Sequence, residues 1–304
     1  MKLLHSIEAL RALPRPVHLA LGFFDGVHLG HRRVIESTDS PGALRGVLSF
    51  AEHPLALLAP ERCPKLISPG QRAELLAALG VELLVLLPFD RALAETSAED
   101  FWAQLRATGR VCGLSVGCNQ RFGRGGAGTP EQLRAWGAAA GIRVHVCELA
   151  QLDGERISSS RIRELLATGD LERATAMLGH PYSIAGTVEP GQRLARQWGF
   201  PTANIALPDG AATPPRGVYA VSCRYGARLL RGVANLGLRP SIREAHKQLR
   251  LETHFLEFEG NLYGERLCVA LDRFLRPERC FGSAEELRAA IAADVAAARA
   301  LLPA

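Results

Sequence analysis

The sequence has no C-x-x-C pair. Its seven cysteines, at 63, 112, 118, 147, 223, 268 and 280, are odd in number and scattered, so neither a disulfide framework nor a zinc site is signalled. Buried reduced thiols in a cytoplasmic protein are the expectation. No apolar run approaches the roughly 18 residues that a membrane span needs; the longest, about Leu83 to Pro88, reads as one buried strand. The first residues, MKLLHSIEALRALPRP, lack a continuous apolar core of signal-peptide length and carry Glu8 and Arg11 inside. Runs of basic residues are missing too. The formal net charge of +5 comes from 36 basic and 31 acidic residues, dispersed along the chain. It fits polyphosphate substrates weakly and does not demand nucleic acid. There is no internal repeat. The expectation is a cytoplasmic monomer or weak homo-oligomer with no nucleic-acid or membrane partner.

A hydrophobic content of 47% is ample for a core, and 304 residues favour two domains. Up to about residue 178 apolar segments at 17–24, 44–50, 81–88, 111–117 and 142–147 read as strands. Helical patterns lie between them at 29–37, 69–79, 97–107 and 129–140. Pro69-Gly70 and Thr129-Pro130 mark helix starts, and Gly80 and Gly141 sit where terminating glycines belong. This alternation predicts an α/β domain with a parallel sheet, whose ligands bind beyond the carboxyl ends of the strands. After residue 180 short β-type segments appear at 182–188, 217–224, 229–236, 249–258 and 266–274, separated by turn signals. They predict an antiparallel barrel or sandwich. Ser283-x-x-Glu286 reads as a capping box opening a helix to about Leu302 that packs on it. The boundary is placed at Gly179-His180-Pro181, giving domains 1–179 and 180–304.

Gly22-Phe23-Phe24-Asp25-Gly26-Val27-His28-Leu29-Gly30-His31 lies where the first strand pattern gives way to a helix. A helix N-terminus offers unpaired N–H groups and partial positive charge, a natural phosphate site. Two imidazole donors there could hold a phosphate as it changes geometry. Gly26 and Gly30 remove side chains where a ligand could approach. The bland alternative is a pair of satisfied or surface histidines. Ile157-Ser158-Ser159-Ser160-Arg161-Ile162-Arg163 precedes another helix and could grip phosphate, or could be a serine cap followed by solvated arginines. The glycine-rich stretch after Gly117 is not a Walker A motif, because no G-K-[ST] closes it. In the second half Pro201-Thr202-Ala203-Asn204 puts a hydroxyl and an amide two residues apart. On an extended segment they share a face that could present oxygens to Mg²⁺. A proline-led turn is the alternative.

GFFDGVHLGH with ISSSRIR, Phe50…His53-Pro54 and Val116-Gly117-x-Asn119…Phe122-Gly123 resembles the adenylyltransferase half of bacterial bifunctional riboflavin kinase/FAD synthetases, of the H-x-G-H nucleotidyltransferase superfamily. Gly199-Phe200-Pro201-Thr202-Ala203-Asn204, Gly217-Val218-Tyr219, Gly232-Val233-Ala234-Asn235-Leu236-Gly237, Leu251-Glu252-Thr253-His254 and Leu262-Tyr263-Gly264 resemble their riboflavin kinase module, a six-stranded antiparallel barrel with a C-terminal helix. The resemblance implies phosphorylation of riboflavin to FMN and adenylylation of FMN to FAD, with ATP as co-substrate and Mg²⁺ as cofactor. It implies that His28 and His31 contact ATP phosphates and stabilise the transition state. Gly22, Phe24, Asp25, Gly26, Gly30, Asn119, Ser159, Ser160 and Arg161 would complete that ATP site. Thr202 and Asn204 would bind Mg²⁺ and ATP phosphate in the kinase, with Glu252 as general base. Glu257 and Glu259 read as solvated.

The chain departs from the family pattern in places. Glu52 precedes His53-Pro54 where a proline is usual. Gln120 follows Asn119 in place of an aromatic residue, Ala195 replaces a glycine, and Leu238 replaces a threonine. These departures leave two alternatives: a paralogue with only the adenylyltransferase active, or a non-catalytic flavin-binding regulator.

Overall fold

The computed structural model describes residues 1–52, 64–190, 201–208, 210–240 and 247–302. The chain divides into two units, Met1–Pro64 with Pro69–Arg161, and Lys65–Ser68 with Ile162–Ala304.

In the first unit six strands pair in parallel: β1 (Lys2–Leu4), β2 (Val17–Leu21), β3 (Leu44–Phe50), β4 (Leu83–Leu87), β5 (Val111–Gly117) and β6 (Arg143–Cys147). Their order is β1-β4-β3-β2-β5-β6. The interior strand β4 is a continuous apolar run, Leu83-Leu84-Val85-Leu86-Leu87, as suits a parallel strand covered on both faces. Between the strands run α1 (Leu29–Glu36), α2 (Pro69–Ala78), α3 (Arg91–Glu95), α4 (Ala98–Ala107) and α5 (Pro130–Ala140). Thr129 and Gln132 form a reciprocal capping box at the start of α5, Pro130 takes the first turn, and Gly141 ends the helix at φ 70°. Leu19, Leu48, Val85, Trp102, Leu105 and Leu114 share the core. From β2 the chain steps outward through β3 and β4, whereas β5 and β6 lie on the other side. In parallel sheets such a reversal marks where ligands bind, here beyond the carboxyl ends of β2 and β5.

The first long strand ends at Leu21, not at residue 24, because Phe24 takes a left-handed φ of 58° and turns the chain out of the sheet. The short edge strand β1 had no sequence signal. A hairpin of β7 (Gln151–Leu152) and β8 (Glu155–Arg156) leads to α6 (Ser159–Thr168) and α7 (Leu171–Leu178).

In the second unit β9 (Ser183–Glu189), β10 (Ala203–Ala206), β11 (Gly217–Tyr225), β12 (Arg228–Pro240), β13 (Lys247–Phe255) and β14 (Arg266–Pro277) close into a barrel in the order β10-β13-β12-β11-β14-β9. Neighbouring strands are antiparallel. Ile205, Leu251 and Leu236 stand opposite one another on three of them and are fully buried. Within this unit Lys65 N–H donates to Gly210 at 2.7 Å, and its carbonyl accepts from Ala212 at 2.9 Å. The C-terminal helix α8 (Ala284–Leu301) packs Val295 and Ala298 against Ala220 and Val233. Arg276 of β14 forks onto Asp294 of α8, at 2.9 and 2.7 Å. Ser283 caps α8 by accepting from Glu286 N–H, but the Glu286 carboxylate reaches back to Gly282 N–H, one residue earlier than a reciprocal box requires.

Candidate active sites

β2 delivers the chain into a turn that is left-handed at Phe24 (58°), Gly26 (85°) and Val27 (42°). Gly26 adopts this without penalty, whereas a positive φ at an aromatic or β-branched residue is strained. Burial holds both in place, at 2% exposure for Phe24 and 0% for Val27. The Phe24 ring meets His31 edge-on at 5.2 Å, and a Cβ at Gly22 would stand 3.0 Å from that ring.

His28 is the N-cap of α1, and its Nδ1 accepts from His31 N–H at 3.2 Å. An accepting Nδ1 carries no proton, so the neutral ring of His28 has its N–H at Nε2. One ring nitrogen of His28 is therefore used inside the helix cap, and Nε2–H is left to donate. Gly30 has a packing task beside His28. A Cβ there would come within 3.2 Å of the His28 ring, so the missing side chain makes room for the imidazole. The two imidazoles stack at 3.5 Å with planes 14° apart. Burial, and then the neighbouring His28, push the His31 pKa well below its ordinary value. His31 Nδ1 is buried without a hydrogen-bond partner among the described residues.

The start of α6 is tied to this turn. Ser159 Oγ donates to the carbonyl of Asp25 at 2.9 Å, and Asp25 is itself buried. Ser158 Oγ accepts from Arg161 N–H, capping the helix, while Ser160 is exposed. The side chain of Arg161 meets Glu155 of β8 at 2.5 Å, so its charge is already paired within the protein. Asn119 is exposed just past the end of β5, the neighbour of β2, with its Oδ1 folded over Gly117. Gln120 donates to Arg121 O at 2.9 Å. His53 and Pro54 lie outside the described residues.

Sequence reasoning missed Arg72 and Ser49. Arg72, on α2, is 4% exposed. It donates from Nη1 to Phe23 O at 2.9 Å and from Nη2 to Phe50 O at 2.8 Å, with its guanidinium over the Phe23 ring. Burial lowers its pKa, and the charges of Asp25 and Glu52 oppose that shift. Ser49 Oγ donates to the same Phe23 carbonyl at 3.0 Å. A lone arginine on a helix reads from sequence as a solvated charge; only the tertiary structure shows it turned inward.

In the barrel the antiparallel register sets Asn204, Glu252 and Asn235 opposite one another on β10, β13 and β12. Directly paired residues share a face, so these three polar side chains form one row. Asn204 Nδ2 lies 3.3 Å from Thr202 O and 3.5 Å from Thr202 Oγ1, which brings together the two residues expected to act as a pair. His254 anchors the approach to them through Nδ1 to Pro201 O at 2.9 Å. Beside them opens a cavity of about 470 Å³ lined by Thr202, Asn204, Thr253, Phe258 and Tyr263, among others. Thr253 Oγ1 is buried there without a hydrogen-bond partner among the described residues. Asn235 Nδ2 donates to Glu278 at 3.2 Å, a contact unforeseen from sequence. Glu257 and Glu259 are exposed, as expected of solvated charges, and Glu257 pairs with Arg299 at 3.4 Å. Leu238 is 40% exposed. Gly199, Phe200, Ala195 and Arg196 lie outside the described residues.

Among the described residues no cluster of three or more His, Cys, Asp or Glu side chains could hold a metal ion. Nor is any described helix long and apolar enough to cross a membrane.

Residues 10–161 match the FAD synthetase family and residues 178–302 the riboflavin kinase family. The chain is 38% identical over 306 residues to the bifunctional riboflavin kinase/FMN adenylyltransferase of Pseudomonas fluorescens, spanning 99% of this chain and 98% of that one. Identity to the Escherichia coli K12 protein of the same name is 37% over 98% of this chain and 97% of that one. For the Bacillus subtilis 168 protein it is 35% over 91% and 89%. A solved Streptococcus pneumoniae structure, described as a macrolide-efflux protein, aligns over 96% of each chain with a TM-score of 0.83 and 27% identity. The efflux description belongs to that protein. With each half matched to its own family and the relatives spanned almost end to end, this chain belongs to the bifunctional riboflavin kinase/FMN adenylyltransferases.

Proposed function

We propose that this chain phosphorylates riboflavin to FMN at the barrel row and adenylylates FMN to FAD at the β2–α1 turn, using ATP in both steps. The observation that carries the reading is the convergence, in two separately matched halves, of residues distant in sequence. His28 and His31 stack at a helix start to which Ser159 is tied, and Asn204 and Glu252 face one another across two strands. We assign the modules to residues 1–179 and 180–304 and place the enzyme in the cytoplasm, as a monomer or weak homo-oligomer.

In adenylyl transfer an oxygen of the FMN phosphate attacks the α-phosphorus of ATP. The bond from that phosphorus to the bridging oxygen breaks, and pyrophosphate leaves. The protein supplies positioning and charge stabilisation rather than a nucleophile. The roles assigned are an Nε2–H donor from His28, the neutral imidazole of His31, and the N–H groups at the start of α1. The backbone of Gly22, Phe24, Asp25, Gly26 and Gly30 frames the phosphates, with Ser159, Ser160, Arg161 and Asn119 around them. Phe24 contributes through its backbone, since its ring is packed away.

In the kinase step Glu252 takes the proton of the riboflavin 5′-hydroxyl. The oxygen attacks the γ-phosphorus, and ADP departs. Thr202 and Asn204 fit a hard cation: both line the cavity, and with Asn204 Nδ2 turned toward Thr202 the amide Oδ1 and the hydroxyl oxygen are the neutral ligands on offer. Mg²⁺ held there would neutralise phosphate charge. Chromatography of products from riboflavin, ATP and Mg²⁺ tests the reading. Successive FMN and FAD are expected; accumulation of FMN alone, or no product, overturns it.

A further inference from the structure

The turn that carries His28 is strained, and its strain has to be opposed from outside. Phe24 and Val27 each hold a positive φ, a conformation that is strained at aromatic and β-branched residues. The carbonyls on either side of Phe24 are both restrained by side chains from other elements. Phe23 O accepts from Arg72 and Ser49, and Asp25 O accepts from Ser159. Arg72 differs from the two serines in what it joins. Its second nitrogen reaches Phe50 O, the last residue of β3. One planar group thus fixes the chain leaving β2 and the chain leaving β3 at the same edge of the sheet. A guanidinium has the fork geometry for two divergent carbonyls, which an ammonium lacks. At 4% exposure a charge this deep needs partners, and the two carbonyls and the face of Phe23 supply them.

We propose that Arg72 is a positioning residue for FMN adenylylation: its fork locks the β2–α1 turn to the end of β3 and so fixes where His28 and His31 meet the phosphates. The inference rests on the adenylyltransferase reading of this site. It predicts that losing the fork slows the chemical step rather than weakening ground-state binding, because misplaced groups lose transition-state contacts first.

Steady-state FAD formation from FMN and ATP, and FMN formation from riboflavin, would be measured on the full chain for wild type, Arg72→Ala and Arg72→Lys. Both variants should lower kcat for FAD formation by about a hundredfold, with KM for ATP and the riboflavin kinase rate changed by less than about twofold. Added methylguanidinium should restore part of the FAD rate in Arg72→Ala and have no such effect on wild type. Wild-type kcat in Arg72→Lys would overturn the fork. A change confined to KM, failure of methylguanidinium to rescue, or loss of both activities in both variants would reduce Arg72 to a binding or packing role and also overturn it. A wild-type chain that makes FMN but no FAD overturns the adenylyltransferase reading itself, and the inference with it.

Discussion

The imidazoles of His28 and His31 lie face to face, 3.5 Å between centres and 14° from parallel. Two cationic rings at that distance repel strongly, and burial disfavours charge on His31 further. On the proposed reading the pair meets the nucleotide as hydrogen-bond donors rather than as two positive charges. His28 has a second task as the cap of α1, and the two tasks can be separated by mutation. His28→Ala should cost about 1 kcal/mol through the lost cap and lower FAD formation by roughly 10²–10³-fold. His28→Asn supplies a good capping oxygen, so its melting temperature should return toward wild type while FAD formation stays low. Thermal melts and product chromatography check this; an active Asn variant would contradict the donor role.

Glu252 shares its row with Asn204 and Asn235. Glu252→Gln should depress riboflavin phosphorylation by roughly 10²–10⁴-fold. Supplied FMN should still become FAD at the wild-type rate. Parallel assays from riboflavin and from FMN separate the two steps.

Gly237 leaves space that Glu278 fills. A Cβ there would overlap Glu278 Oε1. Gly237→Ala should push that carboxylate away from Asn235 and disorder the row, lowering kinase turnover roughly tenfold with FMN adenylylation unchanged. Unaltered kinase kinetics would show that the Asn235–Glu278 contact has no bearing on the step.

His18 gives the first unit a pH-dependent stability. It is fully buried in β2 between Ser40 and Ser115, at 2.8 and 2.9 Å, with His145 stacked beside it and Arg143 close enough to disfavour a second charge. Burial, aided by those two charges, pulls its pKa down to about 4. An unfolded histidine takes its proton near pH 6.5, so between that pH and about 4 the unfolded chain binds more protons. Stability should fall as the pH drops through this window, by about 3 kcal/mol in all. Urea unfolding of wild type and His18→Gln across the window should show the shallower slope in the variant.

Much of this was legible in the chain because the signals were local. The α5 start at Thr129-Pro130, the Gly141 stop and the apolar run of β4 each declare themselves within a few residues. The turn at the start of α1 and the closeness of Thr202 to Asn204 were legible for the same reason. What escaped depends on long-range approach. Arg72 is separated by 49 residues from one carbonyl it holds, and Asn235 by 43 residues from Glu278. The task of Gly30 escaped because only the folded His28 ring fills the space above it. The end of the first strand was misplaced because an apolar Phe23-Phe24 continues the pattern of β2 while its backbone does not.

Closure of the barrel separates the two units in one further respect. Among the described residues each barrel strand is paired with a neighbour on both sides, and no strand ends the barrel as an open edge. The parallel sheet ends at β1 and β6. The first is only three residues long, and the second interleaves Arg143 and His145 with its valines, devices that discourage edge-to-edge pairing. Under partial denaturation, self-association should begin at the adenylyltransferase sheet, and Arg143 and His145 are the side chains that stand in its way.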